Sequence, residues 1–162
     1  MNTVYLLIGG NRGNRIKFME EAREMITGQI GSILRKSYIY ETEPWGFDHQ
    51  DRFLNQCLMV KTHQSPHDVL KSLQKIEKHF KRMRHPGLYE SRNMDIDILF
   101  YNDMILIEEN LKIPHPLLHK RKFALIPLVE VNPDFIHPVF SITVSELLKQ
   151  CNDNKRVVLY RK

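Results

Sequence analysis

The chain opens on Val4–Ile8, a β-branched apolar run that predicts a buried strand. GGNRGN at 9–14 then reads as a turn-rich loop. Beyond it the spacing becomes helical: Phe18, Met19, Ala22, Met25 and Ile26 share a face, Asn14 can cap it and Gly28 can end it, predicting a helix over about 15–27. Residues 32–42 read as one long strand, 43–51 as a loop broken by Pro44 and Gly46, and Phe53–Val60 as another strand. Ser65-Pro66-His67-Asp68 is a helix start with cap, first-turn proline and an acid three residues on. Val69, Leu73, Ile76 and Phe80 continue it as one narrow apolar stripe.

A loop at 85–91 leads to a strand at 94–100, and Asn102-Asp103 suits a hairpin turn into Met104–Ile107. A Pro/His-rich segment precedes a short helix near 120–131, made irregular by Pro127. The tail offers a helix at Val144–Lys149 and a strand at Val157–Tyr160. Strands that follow one another without a helix exclude a purely parallel sheet. The order predicts an α+β fold: a ferredoxin-like layered α/β sandwich, an antiparallel-rich sheet with flanking helices, in a single domain over 1–162.

One strand breaks its own pattern. In SRNMDIDILF, 91–100, Asp95 and Asp97 interrupt an apolar run and point to the same face, about 6–7 Å apart. A solvated edge strand would carry them harmlessly. Leu99 shares their parity, however, so that face is not wholly wet, and buried like charges need a partner. A divalent cation resolves the repulsion. Mg²⁺ takes oxygen ligands and keeps waters or substrate phosphates in its remaining positions, and two carboxylates can hold one ion or bridge two.

Charge placement supports an anionic ligand. The net charge is +5 and the pI about 9.2. Lys71, Lys75 and Lys78 lie opposite the apolar stripe as a solvated face. Arg82, Arg84 and Arg92 instead flank the loop that delivers the chain to Asp95, and guanidinium forks suit phosphate oxygens. An acid pair beside several arginines is equipment for moving a phosphoryl group. No Walker loop and no G-x-G-x-x-G is present, so phosphates must be held by metal and side chains. Phe53 and Asn55 share a strand face and suit a planar heterocycle, by stacking and paired hydrogen bonds; Phe123 can supply a second flat face.

Other classes fit less well. A metal-dependent nucleotidyltransferase places its Gly-Gly loop close before the acids, whereas Gly9-Gly10 lies far upstream of Asp95. An RNA-binding module would want aromatic stacking residues in a strand motif that is absent, so no nucleic-acid partner is expected. No apolar run approaches a membrane span, and the start lacks signal-peptide features; a cytoplasmic protein is expected. Cys57 and Cys151 suit reduced thiols.

Together, L-I-G-G-N at 7–11, Y-E-T-E-P-W-G at 40–46, F-L-N at 53–55, Q-K-I-E at 74–77, R-M-R at 82–84, S-R-N-M-D-I-D-I-L at 91–99, I-P-H-P at 113–116 and R-K-F at 121–123 resemble the 6-hydroxymethyl-7,8-dihydropterin pyrophosphokinases. The resemblance implies pyrophosphoryl transfer from ATP to the hydroxymethyl oxygen of the pterin, leaving AMP, in folate biosynthesis. It implies Mg²⁺, two ions, on Asp95 and Asp97, in a monomer whose partners are its small-molecule substrates. It places the pterin between Phe53 and Phe123, with Asn55 and the backbone of Thr42, Pro44 and Trp45 reading its edge. Gln74, Glu77, Ile98, His115 and Arg121 would hold ATP, together with Arg84 and Tyr89. Arg82 and Arg92 would be catalytic in the loop, Arg92 touching both substrates. Asp97 and metal-assisted ionisation both remain open as the route for the hydroxyl proton. Tyr89-Glu90-Ser91 stands where this family usually has Trp-Gly-Pro, and Gly10 where Ser is common.

Overall fold

The computed structural model describes residues 1–42, 52–81 and 94–161. Among them, β1 (Asn2–Gly10), β4 (Phe53–Thr62) and β5 (Asp95–Tyr101) build the centre of an antiparallel sheet. β2 (Gly31–Lys36) and β3 (Tyr40–Thr42) both pair with β4, and β8 (Val157–Leu159) pairs with β3. The order β5-β1-β4-β3-β8 makes β5 an edge strand. β6 (Leu106–Ile107) and β7 (Lys112–Ile113) form a separate small hairpin.

Two helical layers cover the sheet. α1 (Arg15–Gln29) and α2 (Pro66–Lys81) lie on one face, burying Met19, Ala22, Ile26, Val69, Leu73, Ile76 and Phe80 against Val4, Leu6, Ile8, Ile96 and Ile98. α3 (Lys122–Val131) and α4 (Val144–Gln150) cover the other, against Tyr5, Leu7, Cys57, Leu99 and Phe100. This is the layered α+β architecture the strand order predicts. Alternation on β1 and β4 sends side chains to both cores, because the sheet is covered on both sides. No described helix is long and apolar enough to cross a membrane, and both cysteines are free.

The helix starts form as expected: Asn14 Oδ1 accepts from Lys17 N at 3.1 Å, and Ser65 Oγ from Asp68 N at 3.2 Å. Four details differ from the sequence reading. Gly9 and Gly10 belong to β1, not to the following loop. Gly28 does not end α1, which runs on to Gln29; Ile30 N closes the last turn on Ile26 O at 2.8 Å. The strand expected over 32–42 is two strands. Ser37 interrupts it by donating its backbone N–H to Cys57 O (2.9 Å) and accepting from Cys57 N on its hydroxyl (3.0 Å). The turn after Tyr101 forms, with Met104 N donating to Tyr101 O at 3.0 Å, but β6 does not return along β5. Asn102 sits at φ 48 and bonds both ways to Thr3, which carries the chain off the sheet.

Candidate active site

The sheet register assembles the site. Gly9 of β1 stands between Asp95 of β5 and Asn55 of β4, and Tyr40 of β3 continues the row. The next row along is Asp97, Leu7 and Cys57. With strands about 4.8 Å apart, Asp95 and Asn55 lie about 10 Å from each other across Gly9. Phe53 is two residues from Asn55 on the same face. The acids, the amide and the aromatic therefore share the α3 side of the sheet, while Met94, Ile96 and Ile98 pack beneath. β5 is an edge strand, yet its acid face is not simply wet. Asp95 and Asp97 are half-buried, and Leu99 is buried in the α3/α4 core.

Gly9 is there for contact, not for a turn. A Cβ on it would stand 2.3 Å from Asn55 Oδ1 and 2.5 Å from Leu54 O. The bare backbone seats the Asn55 amide, which is itself buried. A Gly directly after an apolar strand was the available signal, and a loop reading misses it.

Glu77 reaches the acids around the sheet edge. Its Oε2 accepts from Ile96 N at 3.1 Å, and it hydrogen-bonds Asp95. Burial raises its carboxyl to about 7, the Ile96 N–H opposes this, and the charges of Asp95 and Asp97 add to the rise. Three carboxyl groups crowded at one strand edge are a poor arrangement without a cation. Among the described residues no group of three His, Cys, Asp or Glu side chains is placed to hold a metal ion. The open, all-oxygen pair Asp95 and Asp97 would suit Mg²⁺, which completes its shell with waters and phosphates.

His115 and Arg121 stand beside the acids. His115 N donates to Leu99 O at 3.1 Å, and its Nδ1 accepts from Leu117 N at 3.1 Å. Burial, and next the Arg121 charge, lower its pKa to about 4, with Asp95 pulling the other way. The neutral ring therefore carries its proton on Nε2, as a donor. Arg121 precedes α3 with its guanidinium 5.7 Å above the Phe123 ring, and its buried Nε has no hydrogen-bond partner among the described residues. Both suit a phosphate oxygen. Phe123 packs on the α3-side core.

A cleft of about 260 Å³ beside the β5 edge brings Ile98 and Asp97 together with His115, Leu70, Asn110 and Lys112. The family resemblance leaves Asn110 and Lys112 out of the expected site, because they stand where other members can use Arg or Thr near the nucleotide. Gln74 opens instead onto a neighbouring cleft along α2, with Glu77, Lys75 and Lys78. Thr42 is buried; its hydroxyl donates to Arg156 O at 3.1 Å, and its backbone pairs with both Phe53 and Val157. The expected Pro44, Trp45, Arg82, Arg84, Tyr89 and Arg92 lie outside the described residues.

The α+β fold thus sets an acid pair, a buried amide and an aromatic ring on one sheet face. The family model for 7,8-dihydro-6-hydroxymethylpterin-pyrophosphokinase matches residues 5–133. A 2-amino-4-hydroxy-6-hydroxymethyldihydropteridine pyrophosphokinase of Aquifex aeolicus is 39% identical over 146 residues, 90% of each chain. The folic acid synthesis protein FOL1 of Dictyostelium discoideum is 36% identical over 146 residues, 90% of this chain and 22% of that protein. The crystal structure of Plasmodium falciparum HPPK-DHPS shares the fold at TM-score 0.75 and 20% identity, covering 93% of this chain and 43% of that one. The chain belongs to the 7,8-dihydro-6-hydroxymethylpterin-pyrophosphokinase family, whose members are ATP-dependent diphosphokinases.

Proposed function

We infer that the chain, as one domain over 1–162, transfers the pyrophosphoryl group of ATP to the hydroxymethyl oxygen of 6-hydroxymethyl-7,8-dihydropterin. The products are AMP and the pterin diphosphate, a step of folate biosynthesis. The observation that carries the reading is the row Asp95–Gly9–Asn55, which sets the acid pair about 10 Å from a buried amide on one sheet face.

Asn55 hydrogen-bonds the heterocycle's amide edge, Phe53 and Phe123 stack on its two sides, and the backbone of Thr42 reads its edge, with the expected Pro44 and Trp45 lying outside the described residues. Gln74, Glu77 and Ile98 line the nucleotide. The His115 Nε2–H and the Arg121 guanidinium, with its unused Nε–H, donate to phosphate oxygens. Asp95 and Asp97 would hold two Mg²⁺ ions, which when bound neutralise the triphosphate and orient its β-phosphorus. Arg82, Arg84, Tyr89 and Arg92, which lie outside the described residues, would act on ATP, with Arg82 and Arg92 stabilising charge as it moves to the leaving AMP. The hydroxymethyl oxygen, whose proton would pass to Asp97 or to solvent, attacks the β-phosphorus, and the bond from the β-phosphorus to the bridging oxygen breaks, that oxygen leaving with AMP. The enzyme acts as a cytoplasmic monomer on small molecules.

A coupled assay for AMP tests this. AMP release from ATP should depend on added hydroxymethyl-dihydropterin and on Mg²⁺; pterin-independent release, or none, would refute it.

A further inference from the structure

α3 begins at Lys122, and the residue in its N-cap position is Arg121, which has no side-chain acceptor to offer. The first helical N–H is satisfied from elsewhere in the chain. Lys122 N donates to Asp153 Oδ2 at 3.0 Å, and the other carboxylate oxygen, Oδ1, accepts from Lys155 N at 2.9 Å. A carboxylate held there also complements the positive end of the helix. The chain then runs straight to the opposite wall of the site. Arg156 O accepts from the Thr42 hydroxyl, Val157–Leu159 pairs with Tyr40–Thr42, and Tyr160 N donates to Ile39 O at 2.9 Å.

The two ends of α3 are thus tied to β3 by different means. Toward the C-terminal end, Glu130 accepts from the Tyr40 hydroxyl at 2.6 Å and from Tyr38 N at 2.9 Å. At the N-terminal end, where Arg121 and Phe123 project, Asp153 links the helix to the strand that pairs with Thr42. The segment 153–160 lies beyond the 5–133 stretch that the family model matches.

We propose that Asp153 is a positioning residue for the pterin pocket: by capping α3 from the C-terminal tail it holds Phe123 at a fixed distance from the β3/β4 wall of Thr42 and Phe53. The proposal rests on Phe123 being a pterin contact. Without Asp153 the helix start is free to rock about its Glu130 anchor, and binding must supply the ordering that the cap now supplies in advance.

The test compares Asp153→Ala, Asp153→Asn, Phe123→Ala and the Asp153→Ala/Phe123→Ala double variant by pterin KM, kcat and Tm. A lost helix cap corresponds to a roughly five- to tenfold rise in pterin KM for Asp153→Ala. Asp153→Asn keeps an oxygen acceptor for Lys122 N but sets an NH2 against Lys155 N, and its KM should fall between those of the parent and Asp153→Ala. In the Phe123→Ala background, adding Asp153→Ala should raise KM by less than about twofold, because the residue acts through that ring. Asp153→Ser, too short to reach Lys122 N, replaces the Ala variant should that one not fold, with the same rise expected. An unchanged KM in Asp153→Ala beside a raised one in Phe123→Ala overturns this proposal alone, as do additive effects in the double variant. An unchanged KM in Phe123→Ala overturns the site reading and this inference with it.

Discussion

Replacing Gly9 by Ala puts one methyl group where the structure has no room. The new Cβ would meet Asn55 Oδ1 at 2.3 Å and the Leu54 carbonyl oxygen at 2.5 Å. The first contact can be relieved by turning the Asn55 side chain away. The second cannot, because Leu54 O is backbone of the paired strand, and β1 must separate locally from β4. Overpacking of this kind costs about 1–3 kcal/mol. For a domain of this size that lowers Tm by about 2–4 °C per kcal/mol. In the proposed site, turning Asn55 away would also forfeit its hydrogen bonds to the heterocycle. At about 0.5–1.5 kcal/mol each, two such bonds correspond to a rise in pterin KM of roughly 5- to 150-fold. In the proposed site ATP is held by residues other than Asn55, so its KM should change by less than about twofold. Steady-state kinetics with each substrate varied in turn, alongside a thermal melt, reads both effects. A Gly9→Ala enzyme with parental Tm and pterin KM would refute the seating of Asn55 by Gly9. Equal rises in both KM values would show general damage instead.

Three further outcomes are expected. Asn14→Ala removes the oxygen that accepts from Lys17 N, and should cost about 1 kcal/mol in urea unfolding with kcat unchanged. His137 is buried, and its Nδ1 accepts from Val139 N and Phe140 N; burial, and next the charge of His119, lower its pKa to about 4. The unfolded chain then binds more protons between about pH 6.5 and 4, so stability falls as pH drops through that window. His137→Gln should reduce the slope measured by urea melts at pH 7.5 and 5, leaving the part that His115 contributes, and an unchanged slope would count against the assignment. Arg82→Ala should lower kcat far more than it weakens ATP binding; the reverse would make Arg82 a ground-state binder.

Much of this architecture was legible along the chain, for a physical reason: α2 and β5 have single-minded patterns. Val69, Leu73, Ile76 and Phe80 can face only one way, and all four are buried. Asp95 and Asp97 could not be packed beneath the sheet, and they are not. What the pattern hid is long-range. Ser37 breaks a good strand because its hydroxyl and backbone take over the bonds to Cys57, a partner 20 residues away. Gly9 reads as a loop residue until Asn55 is placed opposite it. Asp153 sits in a polar tail, and its role depends on a helix start 31 residues earlier. Glu77 follows from the family resemblance, while the carboxyl crowding that raises its pKa depends on β5 being the sheet edge. Asn110 and Lys112 enter the cleft only because β6 and β7 fold off the sheet together.

The central claim is that a diphosphoryl group, not a single phosphoryl group, passes to the pterin at the acid pair. Product analysis by ³¹P NMR after one turnover of ATP with hydroxymethyl-dihydropterin tests it most directly. AMP and pterin diphosphate should form in equal amounts, with both signals lost in a folded Asp97→Ala enzyme. ADP with a pterin monophosphate, or parental turnover by Asp97→Ala, would contradict it.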